Sequence, residues 1–470
     1  MQLAVIVLAA GEGTRMHSNL PKVLHPIAGL PLIGHVLSTA FALSAEYVVT
    51  VLGHQKDLVA GYVTEHFPST IVTEQGPTPG TGAAVEAGLA ALPEDFKGEV
   101  LVLSGDVPLL DVTSISELVE MHRVSSNAAT LISTILDNPN GYGRVLRSKE
   151  NLTGIVEQKD ASDSDLLLNE VNAGVYVFDR EHLDKALSSV TTKNSQAEKY
   201  LTDVVSIMLE QGQSASAHPI NDHWLVAGIN DRQQLSQVAA ELNSRIVKAW
   251  QLAGVTVIEP ATTWIDVTCQ LAKDSTLLPS TRLHGLTQVG TSATIGPDTT
   301  ITDSMIGHGV TISRSQVSSA EILDNATVGP FAFIRPGTVL GADGKIGAFV
   351  EVKNSVIGPG AKVPHLSYVG DASIGEGTNI GAGTIFANYD GVTKHRTTIG
   401  SFAKTGSGNT FVAPVTIGDG AYTAAGSTIR RNVESGALAL NPVAQKNLSG
   451  WVLANRPGSK SAEAINLDTE

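Results

Sequence analysis

The sequence contains little cysteine and is short of positive charge. One of its 470 residues is a cysteine, Cys269. A single cysteine excludes an intramolecular disulfide framework and fits a reducing compartment, so we expect Cys269 to be an ordinary buried apolar side chain. The formal net charge of -15 argues against a face for nucleic acid or anionic membranes, because both require a basic surface. Any phosphorylated ligand must therefore meet positive charge that is concentrated locally.

Long apolar segments are also missing from the sequence. No uncharged apolar run approaches the roughly 18 residues that a membrane-spanning helix needs. The chain begins with the strand-like QLAVIVLAA, without basic residues before it or a small-residue cleavage site after it. We therefore expect a soluble, cytoplasmic protein without membrane insertion. The length predicts roughly two to four domains.

Up to residue 230, short apolar runs alternate with helical patterns. Strand-like runs cover residues 4–10, 47–52, 99–103 and 171–178, and helical patterns cover residues 32–43, 83–92, 115–122 and 200–210. This alternation predicts an α/β domain over residues 1–230, with a mostly parallel sheet and helices on both faces. Ligands of such sheets bind at the carboxyl ends of the strands.

Residues 231–254 have the periodicity of one amphipathic helix. Leu235, Val238, Leu242 and Ile246 follow one another at intervals of three or four. Such a helix would be about 34 Å long at 1.5 Å per residue, which is long enough to separate two domains. We therefore interpret residues 231–254 as a linker.

In the domain predicted over residues 255–455, an aliphatic residue recurs at about every sixth position, strictly in some runs and nearly so in others. Val328, Ile334, Leu340, Ile346 and Val352 keep this register strictly. A hexapeptide rhythm with small residues between the aliphatic ones predicts a parallel β-helix. An ordinary antiparallel sandwich would instead show alternation with a period of two.

The hexapeptide rhythm is interrupted once and ends before the C-terminus. Ile385 and Ile399 are 14 positions apart where six are expected, so the intervening NYDGVTKH is predicted to loop out of the β-helix. Residues 456–470 are small, polar and without a pattern, which predicts a disordered tail.

The first strand runs directly into LAAGEGTRMHSNLPKVL, residues 8–24. Gly11 and Gly13 begin like a dinucleotide-binding motif, but Met16 occupies the position of its third glycine, and no Walker motif follows. What remains is a glycine-permitted turn whose N–H groups can approach an anion, with Arg15 and Lys22 nearby to add positive charge. These features predict a triphosphate site, although the glycines alone would also fit a simple turn between a strand and a helix.

Three further residues carry chemistry by their position. Asp106 follows the apolar run VLVLSG, so its carboxylate should emerge at the carboxyl end of a strand, where it could hold a hard cation or simply begin a turn.

Arg335 and Lys353 are 18 positions apart, which is three hexapeptides and so one coil of the β-helix. Two stacked cations repel each other unless an anion lies between them. The alternative is that both are solvated surface cations.

Several motifs, taken together, resemble a known enzyme family. They are the segment 8–24, GTG at 80–82, SGDVPL at 104–109, GYGR at 141–144, GIVEQKD at 154–160, VNAGVY at 171–176 and GIN at 228–230. These motifs are similar to those of the sugar-1-phosphate nucleotidyltransferases. With the hexapeptide half included, the chain resembles the bifunctional family that joins a uridyltransferase to a glucosamine-1-phosphate acetyltransferase. The resemblance implies a Rossmann-like N-terminal domain and a left-handed β-helix.

For the N-terminal domain, the resemblance implies transfer of UMP from UTP to N-acetylglucosamine 1-phosphate, with release of pyrophosphate. It implies that Asp106 and Asn230 hold Mg²⁺, although Asn230 could equally be a helix cap. Arg15 and Lys22 would stabilise charge on the phosphates. The sugar would be bound by Gly143, Glu157, Asn172 and Asn230. The nucleotide would be bound by Leu8, Ala9, Ala10, Gly11, Lys22, Gln75, Gly80, Thr81, Ser104, Gly105 and Asp106.

For the β-helix, the resemblance implies acetylation of glucosamine 1-phosphate by acetyl-coenzyme A, with His365 as the base that keeps the amine unprotonated. The amino sugar would be bound by Arg335, Lys353, Tyr368 and Asn379. The coenzyme would be bound, in a cleft of a homotrimer, by Ala382, Asn388, Tyr389, Ser407 and Ala425. Pro442 stands where the family commonly has an arginine, and Lys446 could replace that arginine. The product would supply cell-wall synthesis.

Two other functions remain open from the sequence. One is nucleotidyl transfer alone, with the β-helix as an oligomerisation platform; His365 and the spaced cation pair argue against it. The other is a non-catalytic sensor of sugar nucleotides, which would not need the carboxylate of Asp106.

Overall fold

The computed structural model describes residues 2–441 and 445–467. By its internal contacts the chain divides into two compact units. The first contains the residues up to 271 together with 279–287, and the second contains 272–278 and the residues from 288 onward. Cys269 is buried, as expected. No helix within the described ranges is long and apolar enough to cross a membrane. Pro442 lies outside the described residues.

The first unit is an α/β domain. Its strands are β1 (Leu3–Ala9), β2 (Pro26–Ile27), β3 (Leu30–Pro31), β4 (Tyr47–Leu52), β5 (Ile71–Glu74), β6 (Glu99–Ser104), β7 (Ala129–Ile135), β8 (Arg144–Ser148), β9 (Asn151–Val156), β10 (Glu170–Asp179), β11 (Ala215–Ile220), β12 (Thr256–Val257), β13 (Trp264–Ile265), β14 (Gln270–Leu271) and β16 (Thr281–His284). Its helices are α1 (Leu32–Ala42), α2 (Lys56–His66), α3 (Thr81–Ala90), α4 (Val112–Ser125), α5 (Arg180–Ser189), α6 (Thr202–Glu210) and α7 (Arg232–Leu252).

The main sheet of this unit has the order β11-β7-β10-β6-β1-β4-β5. Strands β6, β1, β4 and β5 are parallel, as are β7 and β11, whereas β10 runs antiparallel to both of its neighbours. Along β1, Ala4 and Ile6 pack into one hydrophobic core, and Val5 and Val7 pack into another. Successive side chains of a strand point to opposite faces, so the fully apolar β1 needs helices on both sides. The predicted mostly parallel α/β fold is confirmed.

Helix α7, Arg232–Leu252, lies within the segment predicted as one helix, 231–254. Asp231 precedes the helix, and its carboxylate accepts a hydrogen bond of 2.8 Å from the Gln234 N–H. This is the usual cap of a helix N-terminus. In return, Gln234 accepts a hydrogen bond of 2.7 Å from the Asn230 N–H, so the start of α7 fixes the backbone at Asn230.

The second unit consists of short parallel strands stacked into three faces. Face 1 contains β15 (Thr276–Leu277), β18 (Thr294–Ile295), β21 (Thr311–Ile312), β24 (Thr327–Val328), β27 (Lys345–Ala348), β30 (Lys362–His365), β35 (Lys404–Thr405), β38 (Tyr422–Thr423) and β40 (Leu438–Ala439). Face 2 contains β19 (Thr299–Thr302), β22 (Gln316–Ser318), β25 (Phe333–Ile334), β28 (Glu351–Lys353), β31 (Tyr368–Gly370), β33 (Ile385–Ala387), β36 (Thr410–Val412) and β39 (Thr428–Ile429). Face 3 contains β17 (Gln288–Val289), β20 (Met305–Ile306), β23 (Glu321–Ile322), β26 (Val339–Leu340), β29 (Val356–Ile357), β32 (Ala372–Ile374), β34 (Thr397–Ile399) and β37 (Val415–Ile417).

The hexapeptide aliphatics form the interior of this unit. Val328, Ile334, Leu340, Ile346 and Val352 are fully buried. They lie in turn on faces 1, 2, 3, 1 and 2. Val328 and Ile334 pair with the residues 18 positions later, Ile346 and Val352. The other three pair with the residues 17 positions later, as Leu340 does with Ile357. The predicted parallel β-helix is confirmed.

Two segments depart from the regular coil. Residues 388–396, between β33 and β34, leave the faces, as the interrupted rhythm predicts. The C-terminal segment contains α8 (Trp451–Asn455) and α9 (Lys460–Leu467). Helix α9 differs from the disorder predicted for 456–470, because the Ser459 hydroxyl accepts a hydrogen bond of 3.2 Å from the Ala462 N–H and so caps the helix.

Candidate active sites

The glycine-rich loop after β1 closes onto Lys22. Gly13 has φ +63°, and a Cβ placed on it would lie 2.6 Å from the Lys22 Cβ. A side chain at this position would therefore force the loop away from Lys22. Arg15 lies in the adjoining short 3₁₀ helix, Thr14–Met16, and is exposed to solvent. The loop thus presents two cations at the carboxyl end of the first strand.

A cleft of about 730 Å³ opens at the same end of the sheet. All predicted nucleotide-binding residues except Gly105 line it: Leu8, Ala9, Ala10, Gly11, Lys22, Gln75, Gly80, Thr81, Ser104 and Asp106. Gly105 lies beside the cleft, where its N–H donates a hydrogen bond of 2.9 Å to the Leu8 carbonyl. Glu12, His54 and Glu198 also line the cleft and were not predicted.

Lys22 lies between the two predicted metal ligands. Its ammonium is 2.5 Å from Asp106 Oδ2 and 3.4 Å from Asn230 Oδ1. The Lys22 and Asp106 side chains are 13% and 17% exposed, so this ion pair is largely shielded from water. The Ile229 N–H donates to the Asp106 carbonyl at 3.1 Å, which fixes Asn230 beside Asp106. The two oxygens therefore surround a position that already holds a cationic group.

Three of the predicted sugar-binding residues of the first unit, Gly143, Glu157 and Asn172, also lie together. The Asn172 N–H donates to the Gly143 carbonyl at 2.9 Å, and the Asn172 amide donates to the Tyr176 hydroxyl at 2.6 Å. A Cβ on Gly143 would lie 3.5 Å from Glu157 Oε2, so the carboxylate is next to this glycine. Burial raises the pKa of Glu157, against the opposing effect of a hydrogen bond from Thr202.

Tyr142 is a contact that the sequence did not single out within the GYGR motif. Burial raises the pKa of its hydroxyl, and the nearby charge of Asp106 acts in the same direction. The hydroxyl also interacts with the backbone of Gly228. Tyr142 therefore connects the segment that carries Gly143 to the Asp106 side of the cleft.

In the second unit, Arg335 and Lys353 lie beside each other on face 2. The pairs Phe333–Glu351 and Ile334–Val352 are in register, and the Arg335 N–H donates to the Val352 carbonyl at 2.8 Å. The Arg335 guanidinium also contacts the Glu351 carboxylate at 2.7 Å, a partner that the spacing argument did not include. Both side chains are more than a third exposed, so this ion pair is weak and a phosphate could compete for the arginine.

His365 belongs to a column of residues at the corner between faces 1 and 2. Three backbone carbonyls in this column accept a hydrogen bond from the N–H of a glycine in the next coil: His365 from Gly383 at 3.2 Å, Ala382 from Gly408 at 2.7 Å and Ser407 from Gly426 at 2.8 Å. The column therefore runs His365, Ala382, Ser407, Ala425. It brings the predicted base and three predicted coenzyme-binding residues to one edge of the β-helix. The His365 side chain is exposed.

The remaining predicted residues lie on either side of this edge. Tyr368 begins β31 on face 2, and a Cβ on Gly370 would lie 2.5 Å from the Tyr368 hydroxyl and 2.6 Å from the Asn388 amide nitrogen. Tyr389 is 59% exposed. Asn379 lies on face 1, bridged to Lys362 on one side and to Lys404 on the other.

Asp371 organises the loop 388–396, and sequence reasoning missed it. Asp371 is 8% exposed, and its carboxylate accepts hydrogen bonds from the Asn354 amide at 2.6 Å and the Asn388 amide at 2.5 Å. Burial opposes ionisation of Asp371, but these hydrogen bonds and the charge of Lys353 lower its pKa below the ordinary value. The loop also brings Lys394 towards Lys353, whose ammonium lowers the pKa of Lys394. Three cations, Arg335, Lys353 and Lys394, therefore converge near this end of face 2.

Within residues 2–441 and 445–467, no group of three or more His, Cys, Asp or Glu side chains is placed to hold a metal ion. A metal at the first site would therefore depend on Asp106 and Asn230 together with oxygens that a ligand supplies.

Comparison with known proteins defines the class of the first unit. Residues 5–157 match the family of MobA-like NTP transferase domains. This match covers the glycine-rich loop, Lys22, Asp106 and Glu157. The first unit is therefore a nucleotidyltransferase domain.

Full-length relatives define the family. The chain is 54% identical over 463 residues to the bifunctional protein GlmU of Clavibacter sepedonicus, covering 98% of this chain and 94% of the relative. It is 53% identical over 461 residues to that of Kineococcus radiotolerans, with the same coverage. It is 52% identical over 472 residues to that of Mycobacterium tuberculosis strain ATCC 25177 / H37Ra, covering 99% of this chain and 95% of the relative. The chain belongs to the family of bifunctional GlmU proteins.

Proposed function

We propose that this chain makes UDP-N-acetylglucosamine in two steps, one in each unit. The second unit acetylates glucosamine 1-phosphate with acetyl-coenzyme A. The first unit then joins the product to UMP from UTP and releases pyrophosphate. Membership of a bifunctional family over nearly the full chain supports both steps. Each unit also carries its own group of predicted site residues.

The observation that carries the nucleotidyl transfer is the Lys22 ammonium, which lines the cleft and contacts both Asp106 and Asn230. Carboxylate and amide oxygens are ligands that suit Mg²⁺, which takes its other ligands from phosphates and water. We propose that Asp106 and Asn230 hold Mg²⁺. When bound, it would neutralise charge on the UTP phosphates.

The chain's own residues supply the rest of the first reaction. The sugar phosphate oxygen attacks the α-phosphorus of UTP, and the bond to the pyrophosphate breaks. The N–H groups of the turn at Gly11, with Arg15 and Lys22, stabilise the charge that develops on the phosphates. Glu157 and Asn172 orient the sugar so that its phosphate faces the nucleotide.

The observation that carries the acetyl transfer is the corner column of His365, Ala382, Ser407 and Ala425. His365 takes a proton from the amine as the amine attacks the thioester carbonyl, and coenzyme A leaves as the thiol. Arg335 and Lys353 hold the 1-phosphate, and Tyr368 and Asn379 hold the sugar ring. Asn388 and Tyr389 lie at the loop that borders the coenzyme.

We propose that the chain acts as a homotrimer in the cytoplasm. An exposed aromatic pair supports association of the β-helices. Phe331 and Phe349 stack at 5.3 Å between ring centroids and are 54% and 59% exposed. Association would remove this apolar surface from water. Light scattering after size-exclusion chromatography should give three times the chain mass, and a monomer would contradict the proposal.

Incubating the purified protein with acetyl-coenzyme A and glucosamine 1-phosphate tests the second activity. We expect a thiol to be released that depends on the amino sugar. Adding UTP and Mg²⁺ should then release pyrophosphate. Pyrophosphate release from UTP and N-acetylglucosamine 1-phosphate without any thiol release in the first assay would favour a nucleotidyltransferase whose β-helix is a platform.

A further inference from the structure

Face 1 of the β-helix carries a ladder of lysines beside the corner column. Lys345 pairs with Lys362, Lys362 with Asn379, Asn379 with Lys404, and Lys404 with Tyr422. The three lysines and Tyr422 are exposed. We name Lys345, Lys362, Asn379, Lys404 and Tyr422 the face 1 ladder.

The ladder is positive in a protein whose formal net charge is -15. The outward residues that precede it on the strands of face 1 are Thr276, Thr294, Thr311 and Thr327, so this row has no carboxylate from Thr276 to Tyr422. In contrast, the outward rows of faces 2 and 3 include Glu351 and Glu321. Among the described residues, none of the three ladder lysines makes an ion pair.

Charges of one sign placed in register repel each other unless an anion lies over them. Strand neighbours are about 4.8 Å apart, so Lys362 and Lys404, two steps apart, are separated by about 10 Å at the backbone. The Lys404 ammonium lies 5.9 Å from the centre of the Tyr422 ring, which holds it against the face. This spacing suits a ligand with more than one phosphate group.

The ladder lies at a fixed distance from the proposed coenzyme cleft. Lys362, Asn379, Lys404 and Tyr422 each precede a member of the corner column, His365, Ala382, Ser407 and Ala425, by three positions. Three residues of a strand span about 10 Å, and two strand steps add about 10 Å at a right angle. Lys404 is therefore about 14 Å from His365 at the backbone, which is within reach of an extended pantetheine arm.

We propose that Lys362 and Lys404 bind the phosphate groups of acetyl-coenzyme A while its thioester lies at His365. The inference rests on the proposed acetyl transfer and adds the residues that recognise the nucleotide end of the coenzyme. The 1-phosphate of the amino sugar is a second source of the same chemistry, because Asn379 lies between the two lysines. The cations that converge on face 2, Arg335, Lys353 and Lys394, favour that face for the sugar phosphate.

The test compares Lys362→Gln, Lys404→Gln and the double variant with wild type. The matched control is Lys345→Gln, which removes the same charge from the same face one step further from the coenzyme-binding part of the column. Calorimetry would measure binding of coenzyme A and of pantetheine, which lacks the nucleotide. Kinetics would measure KM for acetyl-coenzyme A, S-acetylpantetheine and glucosamine 1-phosphate.

Each lost charge-assisted contact should weaken binding about tenfold. We expect each single variant to raise Kd and KM for the coenzyme by about that factor, and the double variant by more. Binding of pantetheine, KM for S-acetylpantetheine and KM for the amino sugar should stay unchanged. Raising the salt concentration should reduce the difference between wild type and the double variant.

Three results would overturn the inference: unchanged coenzyme affinity in the double variant, an equal loss for pantetheine, or a rise confined to KM for glucosamine 1-phosphate. The binding measurement separates this inference from the proposed function. If wild type binds coenzyme A through the two lysines but releases no thiol, the acetyl transfer fails and the site stands. If wild type does not bind coenzyme A, the site fails.

Discussion

The two units of this chain build their sites in different ways. The cleft of the first unit is assembled from loops that follow separate strands, so its lining residues come from positions as distant as Gly11, Gln75 and Asp106. The candidate site of the β-helix is assembled by register, because residues one coil apart stack at the same edge. In the β-helix, the sequence separation of two residues therefore predicts whether they are neighbours. In a site built from loops, the neighbours depend on how each connection folds.

This difference explains what could be predicted from the sequence. The spacing of 18 placed Arg335 beside Lys353, and the hexapeptide rhythm placed Val328 below Ile346. The meeting of Gly11 and Asp106 at one cleft could be predicted, because a turn after one strand and a carboxylate after another meet at the carboxyl edge of a parallel sheet.

What could not be predicted depends on the paths of irregular segments and on side-chain partners. The role of Asp371 could not be predicted, because it depends on the path of the loop 388–396, which places Asn388 against Asp371. No periodicity in the sequence describes that path. The ion pair between Arg335 and Glu351 could not be predicted either, because the spacing of the repeats does not determine which side chain on a neighbouring strand the arginine contacts. Helix α9 depends on a capping serine in a segment without hydrophobic periodicity.

The largest effect is expected at the first site. Asp106→Ala should reduce nucleotidyl transfer by about 10³-fold or more, because it removes an oxygen that faces the cation position. Acetyl transfer should stay at the wild-type rate. Pyrophosphate and thiol release, measured on one preparation, check this. The variant Asp106→Asn keeps the shape of the side chain and removes only its charge, so it separates the two effects. If Asp106→Ala lost acetyl transfer as well as nucleotidyl transfer, the two sites would not be separate.

The mirror experiment is His365→Ala. Loss of a general base should reduce acetyl transfer by about 10²- to 10⁴-fold and leave nucleotidyl transfer unchanged. His308→Ala, at an exposed position of the same unit, is the matched control. Thiol release at wild-type rate from the His365 variant would assign the base to another residue.

A substitution that strains the backbone of the glycine-rich loop should impair the first unit alone. Gly13→Ala forces a side chain into a left-handed conformation and against Lys22, so nucleotidyl transfer should fall about tenfold or more. Gly61→Ala, in the open part of α2, is the control and should slightly stabilise the protein. Equal effects of the two substitutions on pyrophosphate release would show that the contact with Lys22 does not matter.

Asp371→Asn should weaken the loop of the β-helix. Asparagine offers one acceptor oxygen where two amides, from Asn354 and Asn388, each need one, so stability should fall by about 1–3 kcal/mol and acetyl transfer by about tenfold. Because the pKa of Asp371 is lowered in the folded state, its contribution is present above the ordinary value of 3.8 and is lost as the pH falls through the folded pKa.

Denaturant unfolding of wild type and Asp371→Asn at pH 7 and near pH 3 checks this dependence. The difference in the free energy of unfolding should be largest at pH 7 and should shrink in acid. Asp343→Asn, at an exposed position of the same unit, should show no such difference. If the difference in the free energy of unfolding between wild type and Asp371→Asn is the same at both pH values, the charge of Asp371 does not cause it.

The smallest effect is expected at Glu157. Burial raises its pKa in the folded state, so its favourable contribution is present below the ordinary value of 4.5 and is lost as the pH rises through the folded pKa. Glu157→Gln should therefore raise the melting temperature at pH 8 by about 2 °C and have less effect near pH 4. A melting temperature that falls at pH 8 would contradict this sign.

Mixing the two inactive variants tests the central claim most directly. Asp106→Ala and His365→Ala, each alone with acetyl-coenzyme A, glucosamine 1-phosphate, UTP and Mg²⁺, should form almost no UDP-N-acetylglucosamine. An equimolar mixture should form it at a substantial fraction of the wild-type rate, because the acetylated sugar diffuses from one site to the other. A mixture no more active than either variant alone would contradict two independent catalytic units on one chain.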